Sequence, residues 1–120
     1  AYLTKDHLFR RRVSIMNEQR ITALQEMLID QPDDTFALYG LALEYKSAGD
    51  FEAAQPLLER SIKIEPQQIY AYYQLGEVLI ALDEIDDAIL ILNRGIKEAE
   101  AQKDAKAAHE LDALLMTIED

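Results

Sequence analysis

Apolar side chains recur through most of this 120-residue chain at the three- and four-residue spacing that is typical of one face of an α-helix. Helix-forming residues dominate, and the chain contains only 4 glycines and 3 prolines. The pattern predicts an all-α protein with helices at about 17–31, 35–47, 51–64, 69–82, 86–101 and 104–118.

Residues with special backbone properties mark the predicted helix ends. Pro32 ends the first helix, because proline cannot continue the hydrogen-bond ladder. Gly49 suits the left-handed conformation that follows many helices, and Asp50 is placed to cap the next helix. Pro56 removes one backbone hydrogen bond from that helix, which predicts a late start or a slight bend.

Residue types repeat along the chain with a period of 34, as Pro32 with Pro66 and Leu58 with Leu92 illustrate. Repetition at this length is typical of stacked helix-turn-helix units. Small residues also fall in matching pairs, which predicts that helices cross closely at Ala42 and Gly76, Ala54 and Ala88, and Ser61 and Gly95.

The sequence resembles the tetratricopeptide repeat (TPR) family over about residues 18–102. Two runs carry the likeness: Leu38-x2-Leu41-Ala42-x2-Tyr45, Gly49-Asp50-Phe51, Ala54, Leu58 and Pro66, and then Tyr72-x2-Leu75-Gly76-x2-Leu79, Ala88 and Leu92. The resemblance implies antiparallel helix hairpins stacked into a right-handed superhelix with a concave inner face. It places one repeat at 35–68 and a second at 69–102.

Two residues depart from the family pattern. Leu38 stands where the family has a tryptophan-type aromatic residue, and Glu100 stands where it has a proline. Without that proline the fifth helix can continue through Gln102, and the register of the last helix shifts. We therefore expect a C-terminal capping helix that buries Ala108, Leu111, Leu115 and Ile118 and turns Lys106, Glu110, Asp112 and Glu119 to water.

Charge divides the chain into two parts. Residues 1–15 carry a net charge of +3, whereas residues 16–120 carry −14, and Met16 lies at the boundary. We interpret residues 1–15 as a non-native or upstream-translated leader that precedes the TPR-like domain at 16–120. The alternative is a basic amphipathic arm that docks on the acidic body, a neighbouring chain or a membrane surface.

Composition and motifs argue against several classes of function. A net charge of −11 opposes nucleic-acid binding, which depends on cationic side chains at phosphates. The chain has no cysteine, and no apolar run approaches the roughly 18 residues that a membrane helix needs. His7 and His109 are the only histidines, and no ligand set has the spacing of a zinc or calcium site. We predict a cytoplasmic, non-catalytic protein without metal or cofactor.

Ligand contacts in the TPR family lie on the first helix of each hairpin, on the side chains that face the groove. The resemblance assigns this role here to Phe36, Tyr39, Leu43, Lys46, Tyr70, Tyr73, Glu77 and Ile80. Rings at positions that packing within a hairpin does not require predict an aromatic groove. The alternative is that the first and last helices fold over these rings and make them part of the core.

The predicted function is a scaffold that binds a peptide or helix of another protein in this groove. Chaperone-binding TPR proteins hold a carboxylate with lysine, arginine and asparagine side chains, and the matching positions here are Tyr39, Leu43, Gln74, Asp104 and Ala108. A partner with apolar anchors and some positive charge suits these residues better. The alternative function is self-association, in which the groove packs against a second copy or the first helix does so through Ile21, Leu24 and Leu28.

Overall fold

The computed structural model describes the backbone of residues 5–119 and the side chains of residues 17–119. Within that span the chain forms helices and no strand. The helices are α1 (Lys5–Asp30), α2 (Thr35–Ser47), α3 (Phe51–Ile64), α4 (Ile69–Ala81), α5 (Ile85–Ala101) and α6 (Ala105–Met116). The all-α prediction is confirmed.

The helix bounds follow the sequence pattern except at the first helix. α2 begins and ends where the pattern predicts, and α5 begins one residue earlier than predicted, at Ile85. α1, in contrast, begins at Lys5 and continues across the charge boundary at Met16. No glycine or proline interrupts residues 5–16, so nothing in the backbone ends the helix there. The interpretation of residues 1–15 as a leader stays a prediction.

Each hairpin turns on a residue with a left-handed backbone. Gly49 has φ +80°, and the residue one period later, Asp83, has φ 60°. The Asp50 N–H donates to the carbonyl of Tyr45 and the Gly49 N–H to that of Lys46, which is a Schellman motif. The turn between α5 and α6 uses the same two bonds around Lys103, whose φ is 58°. α5 and α6 therefore form a third hairpin.

Aspartate side chains cap α3 and α6, two of the helices that follow these turns. The Asp50 carboxylate accepts a hydrogen bond from the Ala53 N–H at 3.2 Å, as predicted, and Asp104 accepts one from Ala107 at 3.0 Å. α3 begins at Phe51, directly after its cap, and continues through Pro56. The late start that Pro56 led us to expect is therefore wrong, because the Asp50 cap fixes the first turn.

The helices form two layers. Each odd-numbered helix packs on its even-numbered neighbours, while α2 also touches α4 and α4 touches α6. The even helices α2, α4 and α6 thus make up the inner layer of the TPR-like superhelix, and α1, α3 and α5 the outer one. The core between them is built mainly from leucines, with Leu38, Leu58, Leu75, Leu92 and Leu111 among its most deeply buried side chains.

Predicted small residues lie where helices touch most closely. A Cβ atom added at Gly76 of α4 would lie 2.5 Å from Leu92 Cδ2 of α5. A Cβ atom at Gly95 of α5 would lie 2.6 Å from the Cβ of Tyr72 on α4. Ser61 is fully buried and donates a hydrogen bond of 2.6 Å to Gln68 Oε1. The prediction of close crossings is confirmed at these positions.

The absence of proline at position 100 determines how the C-terminal part folds. α5 continues to Ala101 and buries Ala99 completely. α6 then buries Ala107, Leu111 and Leu115 against the body, which confirms the shifted register of the capping helix at Leu111 and Leu115. The alanine that is fully buried is Ala107 rather than the predicted Ala108, which is partly buried.

Gly95→Ala is expected to lower the free energy of unfolding by about 1–3 kcal/mol, because the new methyl group would overlap the Tyr72 Cβ, an atom fixed by the backbone of α4. Chemical unfolding followed by circular dichroism measures this loss. The control is Gly40→Ala in α2, where the nearest atom, in Leu24, lies 3.4 Å away. This variant should be as stable as the parent or more so, since alanine favours helix. Equal stability of the two variants would contradict the close crossing.

Lys103→Gly is expected to raise the free energy of unfolding by roughly 0.5–1 kcal/mol. Glycine relieves the steric cost of the left-handed backbone, and its greater freedom in the unfolded chain offsets part of that gain. The matched change Lys97→Gly, in the regular part of α5, should instead lower it by about 1 kcal/mol. Loss of stability in both variants would show that Lys103 does not adopt the left-handed conformation.

Candidate functional site

All the side chains that the sequence analysis assigned to ligand contact lie on the two inner helices α2 and α4. We call the surface formed by Phe36, Tyr39, Leu43, Lys46, Tyr70, Tyr73, Glu77 and Ile80 the inner-face set. None of its members is fully buried. The fold therefore brings the set together on one layer and leaves it at least partly accessible.

The rings of the inner-face set differ in exposure. Phe36 is 72% exposed and Tyr70 is 40% exposed, whereas Tyr39 and Tyr73 are partly buried against the core. The flanking helices thus leave Phe36 and Tyr70 open to solvent. The alternative that these helices convert the rings into core does not hold for Phe36 and Tyr70, and it stays a prediction for Tyr39 and Tyr73.

Polar groups link the two inner helices at one end of the surface. Lys46 Nζ lies 2.6 Å from Glu77 Oε1 and donates to Gln74 Oε1 at 2.7 Å. Lys46 is 23% exposed and Glu77 is 35% exposed, so both charged side chains are partly shielded from water. Lys46 is the single cationic residue of α2 and α4, so the positive charge of these helices is already matched by a carboxylate.

The tyrosine hydroxyls of the surface are held in their neutral form. Burial raises the pKa of Tyr39, and a hydrogen bond with the Gln74 side chain partly offsets that effect. The pKa of Tyr73 is raised by burial and by the charges of Glu77 and Glu110. At neutral pH these groups therefore present hydroxyls that can donate or accept hydrogen bonds.

Glu110 of α6 also belongs to this surface, although the sequence analysis assigned it to the water-facing side of the helix. The Tyr70 hydroxyl lies 3.4 Å from Glu110 Oε1, and the Glu110 side chain is 38% exposed. The carboxylate thus points along the inner layer toward α4.

A second concavity lies on the opposite side, between the outer helices α3 and α5. It encloses about 500 Å³ and is floored by Leu75 and Leu79 of α4. Leu90, 64% exposed, and Arg94 stand on its α5 wall, and the Arg94 guanidinium lies 5.5 Å from the centre of the Tyr72 ring. No sequence signal predicted this cleft, because it depends on the separation of two helices that do not touch.

The described part of the chain offers neither a cluster of metal ligands nor a membrane-spanning helix. Residues 17–119 contain no group of three or more histidine or carboxylate side chains arranged to hold a metal ion. None of the helices between residues 5 and 119 combines the length and apolar character of a membrane span. The inner face and the outer cleft are therefore the two surfaces with a substantial apolar lining that remain as candidate sites.

Known proteins resemble this chain in sequence. The sequence model of the tetratricopeptide repeat family matches residues 45–114, which is more than half of the chain. A TPR repeat-containing protein of Pseudomonas aeruginosa is 26% identical over 99 residues, which cover 82% of this chain and 94% of that protein.

Solved structures resemble it in fold. A tetratricopeptide repeat domain protein of Salinibacter ruber, 31% identical, aligns with a TM-score of 0.68 over 74% of this chain and 90% of its own. PcrH, in complex with the chaperone binding region of PopD, is 18% identical and aligns with a TM-score of 0.80 over 97% of this chain and 93% of its own. Sequence and fold agree, and the chain belongs to the tetratricopeptide repeat family.

Proposed function

We propose that this chain is a non-catalytic interaction module whose inner face binds a peptide or helix of a partner protein. The observation that carries the proposal is the open ring of Phe36, which is 72% exposed on the inner helix α2, the helix that also carries Tyr39. An exposed ring of this size gains free energy when a partner removes it from water. Aromatic side chains also dominate the energetics of dissected protein interfaces.

The family and one structural relative support a peptide ligand. PcrH is described in complex with the chaperone binding region of PopD, which is a segment of another protein. The inner face of the present chain spans three helices, α2, α4 and α6. Axes of packed helices are typically about 8–10 Å apart where they touch. A surface of roughly 20 Å suits a short extended segment or a few turns of helix.

The chemistry of the inner face favours apolar anchors with hydrogen bonds at their edges. Leu43 and Ile80 add aliphatic surface to the rings, while the Tyr39 and Tyr73 hydroxyls can bond to a peptide backbone. Lys46 already pairs with Glu77, so a ligand carboxylate would have to compete for it. The pairing of Lys46 supports the expectation that this chain does not hold a partner by a carboxylate clamp.

Self-association stays a prediction, and one observation weakens the version that uses the first helix. Ile21, Leu24 and Leu28 are all partly buried, and Leu24 lies against Gly40 of α2. This apolar stripe thus already packs within the chain. Light scattering across a concentration series tests the alternative, because the mass would double if the chain paired with itself. The cytoplasmic location also stays a prediction.

Replacing Phe36 and Tyr39 together by alanine is expected to weaken peptide binding at least tenfold, since interface aromatics often contribute about 2 kcal/mol or more each. The ligands are random peptides displayed on phage and selected on the unmodified protein. Calorimetry of the selected peptides measures the change in affinity.

The control is Leu90→Ala, which removes an exposed apolar side chain from the outer cleft and should leave binding unchanged. Circular dichroism confirms that each variant is folded, and Phe36→Ala alone, at an exposed position, serves if the double variant unfolds. Selected peptides that bind all these folded variants equally well would overturn the proposed function.

A further inference from the structure

We propose that the corner formed by Tyr70, Tyr73 and Glu110 receives a lysine or arginine side chain of the bound peptide. This inference rests on the proposed function and specifies the chemistry of the ligand at one point of the inner face. The remaining inner-face positions would then take the apolar anchors, and the corner would set the register and direction of the peptide.

The corner is built where α4 faces α6. Tyr70 is 40% exposed at the start of α4, and its hydroxyl lies 3.4 Å from Glu110 Oε1, longer than the roughly 2.5–3.0 Å of a strong O–H···O hydrogen bond. The negative charge of Glu110 also contributes to the raised pKa of Tyr73, which lies about one helical turn after Tyr70 on α4. The Glu110 carboxylate thus lies against the exposed Tyr70 ring, with the partly buried Tyr73 on the next turn of α4.

The Glu110 carboxylate is weakly neutralised within the chain. Its ion pair among the described side chains is with Lys106, whose Nζ lies 4.0 Å away and whose side chain is 86% exposed. Exposed pairs of this length contribute little. The carboxylate of Glu77 is about as exposed as that of Glu110, but it has Lys46 Nζ at 2.6 Å. The Glu110 carboxylate, at the α6 end of the inner face, is therefore available to a cationic ligand, whereas the Glu77 carboxylate is already paired with Lys46.

Tyrosine rings beside this carboxylate fit the long side chains of lysine and arginine. The apolar stem of such a side chain can lie against a ring, and its charge can approach the ring face or the carboxylate. An anionic ligand group would be repelled by the carboxylates of Glu110 and Asp104, whose charges both raise the pKa of Tyr70. The overall charge of −11 adds to the attraction for cations.

A metal ion fits the corner less well than a side-chain cation. Hard divalent cations need several oxygen ligands, and residues 17–119 hold no group of three or more candidate ligands. Asp104 is also committed to capping α6, since it accepts the hydrogen bond from the Ala107 N–H at 3.0 Å. One carboxylate flanked by rings matches a guanidinium or an ammonium group.

Selection of random phage-displayed peptides on the unmodified protein and on variants of position 110 tests the inference. Peptides are kept only if they lose binding to the Phe36→Ala, Tyr39→Ala protein, so that they report on the groove but not on the corner. We expect lysine or arginine to be enriched severalfold at one position of these peptides. The enrichment should vanish with Glu110→Gln and change to aspartate or glutamate with Glu110→Lys.

The control is Asp112→Asn, which removes an exposed carboxylate elsewhere on α6 and should keep the preference for basic residues. A groove-dependent pool without that preference would overturn the inference and leave the proposed function standing. If no groove-dependent peptide is obtained, both are overturned. Because Glu110→Gln is close to isosteric, retained circular dichroism suffices to exclude unfolding.

A double-mutant cycle on one selected peptide then measures the contact itself. Replacing its basic residue by glutamine should weaken binding to the unmodified protein about threefold to tenfold, and should have little effect on Glu110→Gln. The difference should shrink as salt is raised, because the corner is open to solvent. Equal losses on both proteins would place the basic residue elsewhere and contradict the assignment.

Discussion

The fold depends on how closely the two helices of each hairpin approach. In the second hairpin the contact is reciprocal: Gly76 of α4 lies against Leu92 of α5, and Gly95 of α5 lies against Tyr72 of α4. The first hairpin has Leu38 and Ser61 at the positions of Tyr72 and Gly95 in the second. The larger side chain of Tyr72 is thus paired with the smaller residue, Gly95. Close packing of this kind buries the apolar stripe of every helix and leaves the inner layer free of that task.

Because the core forms within the hairpins, the inner face can carry the candidate site. Side chains of α2 and α4 that point between the layers form the core, whereas the inner-face side chains are exposed or only partly buried. Phe36 and Tyr70 can therefore remain exposed without weakening the hairpins. The Lys46–Glu77 pair joins α2 to α4 across the same face, which favours a surface that is preorganised before any ligand arrives.

Much of this organisation could be predicted from the sequence because it is periodic. The 34-residue repeat and the turn residues located α2 to α5 within one residue at nearly every end, and the small residues located the crossings. The start of α1 could not be predicted, since a change in charge says nothing about where a helix ends. Glu110 was assigned to water because it lies outside the apolar stripe of α6, and that stripe does not indicate which side chain of α4 it approaches. The outer cleft depends on a distance between helices that no local pattern encodes.

The most direct test of the central claim is to map a bound peptide by the amide NMR spectrum of the protein. Addition of a selected peptide should shift the resonances of residues on α2, α4 and α6 that face the inner layer, with Phe36 and Tyr70 among the largest changes. Shifts concentrated instead at Leu90 and Arg94, between α3 and α5, would show that the outer cleft is the binding surface and would contradict the account.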